Sequence, residues 1–276
     1  MLWFWGWQCC WLWVAGKMEK SKQTLRNRIL GLEKKICLPV KHNSLAGDVW
    51  DYVYNSTGQI TKATRTSPND SYFNYYELVK YNNAGQIEKI RRFQIGTGEC
   101  VEDRIYAYSP DSLLISEAIY KRTIPTDSTT IRFASVNNYE YDLVKRLVKM
   151  HQGGQIISFT YLPNGQIQEN DYDGNTQTHL NQSRILGFNT SKAPWGKVAY
   201  LNLPSNFLNY ADGILFNKLP NAVVLTSYNP DGSIKHQNSF TFNYTYTYNS
   251  DGYPLEQIMT TAGQGPLKNT WTYNCQ

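Results

Sequence analysis

The segment Tyr228-Asn229-Pro230-Asp231-Gly232-Ser233-Ile234 is a tight turn with a strand on each side, and it recurs along the chain. Close copies are Tyr54-Asn55-Ser56-Thr57-Gly58-Gln59-Ile60, Tyr81-Asn82-Asn83-Ala84-Gly85-Gln86-Ile87, Tyr161-Leu162-Pro163-Asn164-Gly165-Gln166-Ile167 and Tyr248-Asn249-Ser250-Asp251-Gly252. Looser copies start at Tyr108 and Tyr141. Asn opens such a turn because its side chain can bond the backbone two residues on. Pro in second place presets φ for a type I turn. Gly in fourth place takes the left-handed conformation of a bulged hairpin, where a Cβ would cost energy. Tyr before and Ile after are good strand residues. The looser copies carry Ser112 and Lys145 where Gly is expected, so those two turns are expected to differ in detail.

Successive motif tyrosines are 27, 27, 33, 20, 67 and 20 residues apart. Such a period marks repeated hairpins, none able to bury its apolar face alone. The predicted fold is therefore all-β: a long antiparallel meander of repeated hairpins forming a strongly curved sheet or barrel. The gap of 67 holds an insertion. Residues 174–222 lose strict alternation and carry Pro194, Pro204 and Pro220, which predicts irregular or partly helical structure there. In Phe240–Tyr248 the aromatic residues all fall at even positions and share one face, so one face is expected buried and the other wet. About a dozen or more strands are expected, a number at which a sheet curls, closes or splits.

Three segments are expected: an apolar stretch at 1–16, a basic linker at 17–35 and a single β-hairpin-repeat domain at 36–276. The net charge of +5 is concentrated in residues 17–42, which hold eight Lys/Arg against two Glu. The β domain is thus not basic overall, and no nucleic-acid face is expected. The basic segment reads as a solvated linker or the flank of a targeting segment. Residues 1–16 hold five of the eight Trp. The run is shorter than the ~20 residues of a spanning helix. It suits the core of a signal peptide, yet no Lys or Arg precedes it. Either it is an atypical export leader or Met18 is the true start. With the leader, membrane association through the N-terminus is expected. Of five cysteines, Cys37, Cys100 and Cys275 lie in the body, giving either one disulfide with one free thiol or three reduced thiols. A Cys37–Cys275 bridge would tie the first strand to the last.

The chemistry-bearing residues form no recognisable site. His42, His151, His179 and His236 are scattered, and none stands at metal-ligand spacing. Asp171, Asp173 and Asn175 alternate as in a calcium loop, but Thr176 replaces the required Gly and Gln182 the closing Glu, so a turn is the better reading. A glycosidase would need two facing carboxylates, and nothing singles out a pair. No catalytic residue, binding residue, metal ligand or cofactor is assigned from the sequence. Asn55-Ser56-Thr57 and Asn243-Tyr244-Thr245 match the glycosylation sequon, as chance allows in an Asn- and Thr-rich chain.

The Tyr–Asn/Asp–x–x–Gly hairpins resemble the YD repeats of RHS-type bacterial surface and toxin-shell proteins. Residues 36–276 resemble a family of uncharacterised bacterial envelope proteins with a porin-like fold, often lipoproteins. Lys192-Ala193-Pro194-Trp195-Gly196, Asn217-Lys218-Leu219-Pro220-Asn221-Ala222-Val223 and Tyr248-Asn249-Ser250-Asp251-Gly252-Tyr253-Pro254 carry that resemblance. Lys17 stands where a lipoprotein cysteine would follow Val14-Ala15-Gly16, and Leu219-Pro220 departs from the family pattern. The resemblance implies secretion to the envelope, outer membrane, periplasm or medium, and supplies no activity. Three functions are carried forward: an exported non-enzymatic module binding an envelope glycan or protein, a membrane-inserted barrel, and a polysaccharide-acting enzyme.

Overall fold

The computed structural model describes residues 36–68, 74–122, 131–188, 198, 203, 208–209, 214–215 and 218–275. The leader, the basic linker and Lys192–Gly196 fall outside the described residues. Cys37–Asn274 forms one compact unit, and Met1–Ile36 groups separately with Cys275–Gln276.

Sixteen strands close into an antiparallel barrel. In chain order they begin with β1 (Cys37–Asn43), β2 (Val49–Tyr54), β3 (Ile60–Thr66), β4 (Tyr75–Tyr81), β5 (Ile87–Gln94) and β6 (Cys100–Tyr108). They continue with β7 (Leu114–Arg122), β8 (Ile131–Tyr141), β9 (Leu147–Gln152), β10 (Gln155–Tyr161), β11 (Ile167–Asp173) and β12 (His179–Ile185). Then, after the two-residue strands β13 (Leu208–Asn209) and β14 (Ile214–Leu215), come β15 (Ala222–Tyr228), β16 (Ile234–Tyr248), β17 (Pro254–Thr260) and β18 (Leu267–Cys275). Each barrel strand pairs with its sequence neighbour, apart from the step from β12 to β15 and the seam where β18 meets β1. The small β13–β14 sheet lies in the insertion between β12 and β15. No helix occurs among the described residues. The expected irregular stretch is shorter at its start than predicted: β12 continues the meander to Ile185, because Ser183 and Ile185 keep the buried phase of the alternation.

The recurring motif folds as its residues dictate. Asn55 Oδ1 accepts from the Thr57 and Gln59 amides at 3.0 and 2.9 Å, and Asn82 does the same for Ala84 and Gln86 at 3.0 and 2.9 Å. Gly58 and Gly85 sit at φ 77°, the left-handed region. The looser copies do not differ as expected. Ser112 and Lys145 adopt φ 65° and close the same turn, their amides donating to Ser109 and Asp142 carbonyls at 2.9 Å. Pairing on both sides of these turns fixes the backbone, so the side chains accept the strained conformation.

Alternation places one face of each strand towards the lumen. The core runs through Tyr52, Ile60, Ile87, Ile90, Tyr106, Tyr139, Met150, Ile167, Val223, Tyr244 and Trp271. From the insertion, Val198, Leu203 and Leu219 join the same core. The opposite face carries charges. Across five successive strands, Lys62 of β3 pairs with Leu78, Leu78 with Arg91, Arg91 with Asp103, and Asp103 with Tyr120. On that face Lys89 and Arg91 meet Asp103 at 2.6 and 3.2 Å, and Lys149 and His151 meet Glu140 at 3.6 and 3.0 Å.

Candidate functional site

Chain parity puts six of the seven motif turns at one end of the barrel, because an odd number of strand-to-strand connections, one or three, separates each from the next. The copy at Tyr228 joins β15 to β16 and therefore lies at the other end. At the six-turn end the motif tyrosines reach across to the neighbouring hairpin. Tyr81 donates to the Ile60 carbonyl at 3.0 Å and Tyr161 to the Leu147 carbonyl at 2.8 Å. Each acceptor is the Ile or Leu that closes another copy of the motif. The motif thus specifies the contact between repeats as well as the turn within each. Burial pushes the Tyr81, Tyr108, Tyr141 and Tyr161 hydroxyls up to about 12, so they stay protonated donors at neutral pH.

Four of these turns, those at Tyr81, Tyr108, Tyr141 and Tyr161, border a cavity of about 730 Å³ at the mouth of the barrel. Tyr108, Tyr141 and Tyr161 form its aromatic wall, Gln86 and Gln166 offer amides, and Leu203 and Lys218 come from the insertion. Three cations edge it. Arg146 binds Asp142 at 2.7 Å and lies 4.4 Å over the Tyr161 ring. Lys145 reaches Asp111 of the adjacent turn at 3.4 Å, and Lys218 sits 5.0 Å over Phe188.

Deeper, towards the opposite end, is a chamber of about 210 Å³. Trp50, Tyr75, Glu77, Arg92, Arg104, Glu117 and Asn137 line it, and Leu203 borders both spaces. Strand register assembles its charges: Glu77 lies opposite Arg92, and Arg92 opposite Glu102. Arg92 binds Glu77 at 2.7 Å and Glu102 at 3.2 Å, and Arg104 binds Glu102 at 2.6 Å. Glu117, fully buried, accepts from Tyr106 at 2.9 Å, Tyr139 at 3.0 Å and Asn137 at 2.8 Å. Burial opposes the Arg104 charge, but Glu77, Tyr106, Glu102 and Glu117 outweigh it and hold its pKa well above the ordinary arginine value.

Across the lumen the buried polar groups form an uncharged relay. His42 Nε2 meets Asn269 Oδ1 at 2.6 Å, Asn269 Nδ2 donates to Gln257 at 3.0 Å, and Gln257 Nε2 donates to the Tyr246 hydroxyl at 3.1 Å. Tyr246 donates in turn to the Pro220 carbonyl of the insertion at 2.6 Å. Complete burial lowers the His42 pKa to about 4, only partly opposed by the Asn269 bond.

The other residues weighed in the sequence are dispersed. His151 faces Glu140 on the outer wall, and His179 stacks between Tyr172 and Tyr228 at 4.9 and 4.2 Å. The side chain of His236, in β16, lies outside the described residues. Asp173 caps its turn by accepting from the Asn175 and Thr176 amides at 3.0 and 2.7 Å, which supports the turn reading over a calcium loop. Asp171 is raised by burial, offset by hydrogen bonds to Asn181 and Glu169. Cys37 and Cys275 are each disulfide-bonded, and Cys100 is a buried free thiol. One signal for the chamber is present in the sequence: Glu77, Glu102, Arg104 and Glu117 occupy the inward phase of their strands, where an apolar residue is the rule.

No protein-family model and no curated protein matches the chain. Among solved structures it is similar to a porin-like protein from Bacteroides uniformis, with 13% identity, 83% of this chain and 91% of that chain covered, and a TM-score of 0.37. A porin-like protein from Bacteroides vulgatus gives 12%, 86%, 99% and 0.36. A chain of the Photorhabdus luminescens Tc holotoxin pore gives 14%, 82%, 12% and 0.22. At these identities and TM-scores none of them brings a function to this chain.

Proposed function

We propose that the chain is an exported, non-enzymatic β-barrel of the cell envelope or its surroundings, and that its mouth binds the end of an acidic glycan. The observation that carries the reading is the mouth itself: about 730 Å³, walled by tyrosines and edged by Lys145, Arg146 and Lys218. That volume lies within the ~300–1,000 Å³ of small-molecule sites. Tyrosine rings give a flat apolar surface to the C–H face of a sugar. Cations at the edge give charge-assisted hydrogen bonds to a carboxylate. The turns that carry them are fastened to one another by the tyrosine bonds, which favours a preformed site.

Titration of the full chain with acidic and neutral oligosaccharides tests the reading. Acidic chains are expected to bind, more weakly as salt rises, and Arg146→Ala with Lys218→Ala to weaken them by about tenfold or more. Equal affinity for neutral chains, or none for either, overturns it. Turnover of the saccharide during titration replaces it with the enzyme reading.

The closed 16-strand barrel favours a second reading, a membrane-inserted porin-like barrel. The outer wall weighs against it. A lipid-facing band must be apolar, and a Lys or Arg at the bilayer midplane costs about 2–4 kcal/mol. Here Lys62, Arg91 and Asp103 lie on that belt. Flotation of the chain with liposomes, resistant to high salt, is the result that would restore the membrane reading.

A further inference from the structure

We infer that the inner chamber is a second binding site, independent of the mouth, for a neutral sugar-sized polyol. The argument starts at Asn137. Its amide nitrogen donates to Glu117 at 2.8 Å, which fixes the orientation of the amide. Its carbonyl oxygen is thereby turned away and has no hydrogen-bond partner among the described residues, although the residue is only 1% exposed. A buried acceptor left unmatched costs about 1–3 kcal/mol. Asn137 lines the chamber of about 210 Å³, so a donor placed there relieves that cost.

The charges of the lining decide the ligand class. At the chamber and just behind its wall, three carboxylates, Glu77, Glu102 and Glu117, meet three cations, Arg92, Arg104 and Lys121. A cation or an anion would upset this balance in a desolvated space. A hydroxyl both donates and accepts, so a polyol can serve Asn137 and the guanidinium edges together. Trp50 and Tyr75 supply aromatic surface for the C–H face of a ring. On the side opposite the mouth the lining includes Trp50, near the start of β2, and the exposed Gln152, where β9 ends. Ordered water alone is the competing occupant.

The test is calorimetric titration of the full chain with glucose, galactose and mannose, beside glucuronate and glucosamine. At least one neutral hexose is expected to bind saturably, about tenfold more tightly than either charged sugar. Gln152→Trp, which fills the chamber from an exposed position, is expected to weaken that hexose by about tenfold or more, as is Asn137→Ala. Arg146→Ala and Lys218→Ala at the mouth are expected to leave it unchanged. Absence of hexose binding, wild-type binding by the folded Gln152→Trp variant, or loss of binding in the mouth variants overturns the inference. Hexose binding that responds to Gln152→Trp, with no acidic glycan bound, would instead remove the mouth proposal and keep the chamber.

Discussion

On the arc from β4 to β8 the lumen is filled by carboxylates and guanidinium groups, whereas from β16 through β18 to β1 it is filled by amides, an imidazole and a phenol. Both arcs bury polar groups beside the same apolar core. The charged arc leaves a chamber with an unmatched acceptor, and the amide arc ends in a bond to the insertion. Charges need several partners each and hold side chains apart. Amides both donate and accept, so they chain into a relay. The difference teaches where a ligand has room: next to the charges, not next to the relay.

The comparison can be broken most directly by deleting one member of each arc. Glu117→Ala should lower stability by about 3–5 kcal/mol, because it strips a charged partner from buried Arg104. Asn269→Leu should cost less, about 1–3 kcal/mol, since it strands the neutral groups of His42 and Gln257. Urea unfolding of both variants gives the order, and equal losses would mean the arcs do not differ.

Acid separates them next. His42 takes its proton near 6.5 when unfolded and near 4 when folded. Between those values the unfolded chain binds more protons, so stability falls as pH falls from about 6.5 to about 4, by something on the order of 3 kcal/mol. His42→Gln should flatten that slope in denaturation midpoints measured across the window. A slope unchanged by the substitution would place the acid response elsewhere.

The smallest effect concerns the turns. Ser112, on the charged arc, and Lys145, just past its edge, hold φ 65°, while the turn at Gly252 on the amide arc is free of that strain. Ser112→Gly and Lys145→Gly should each raise stability by about 1 kcal/mol, read as a higher thermal midpoint. No change in either would show that their side-chain contacts already offset the strain.

The hairpins were legible in the sequence because their chemistry is local: Asn55, Gly58 and Tyr54 act within a few residues. The buried aromatic face of β16 was legible for the same reason, at Tyr244 though less so at Phe240, which is 42% exposed. The tyrosine bonds between repeats were not legible, since the motif alone does not say which carbonyl lies beside Tyr81. The chamber was less so. Glu77, Arg92, Glu102 and Glu117 meet only through register between strands, and a shift of one residue would turn each to the outer wall. Ser112 misled for a physical reason: a residue without Gly's freedom was read as a different turn, yet the flanking strands hold it in the same one.

The seam between β18 and β1 carries a kinetic consequence. Nearly every other pairing joins strands next to each other in the chain, so it can form early and at small entropic loss. The seam must bring together residues such as Asn43 and Thr270, 227 positions apart. Ring closure therefore carries the largest entropic cost, and a sheet not yet closed has two unsatisfied edges. The interval before closure is when self-association competes with folding, and its length sets how dilute, or how well chaperoned, the nascent barrel has to be.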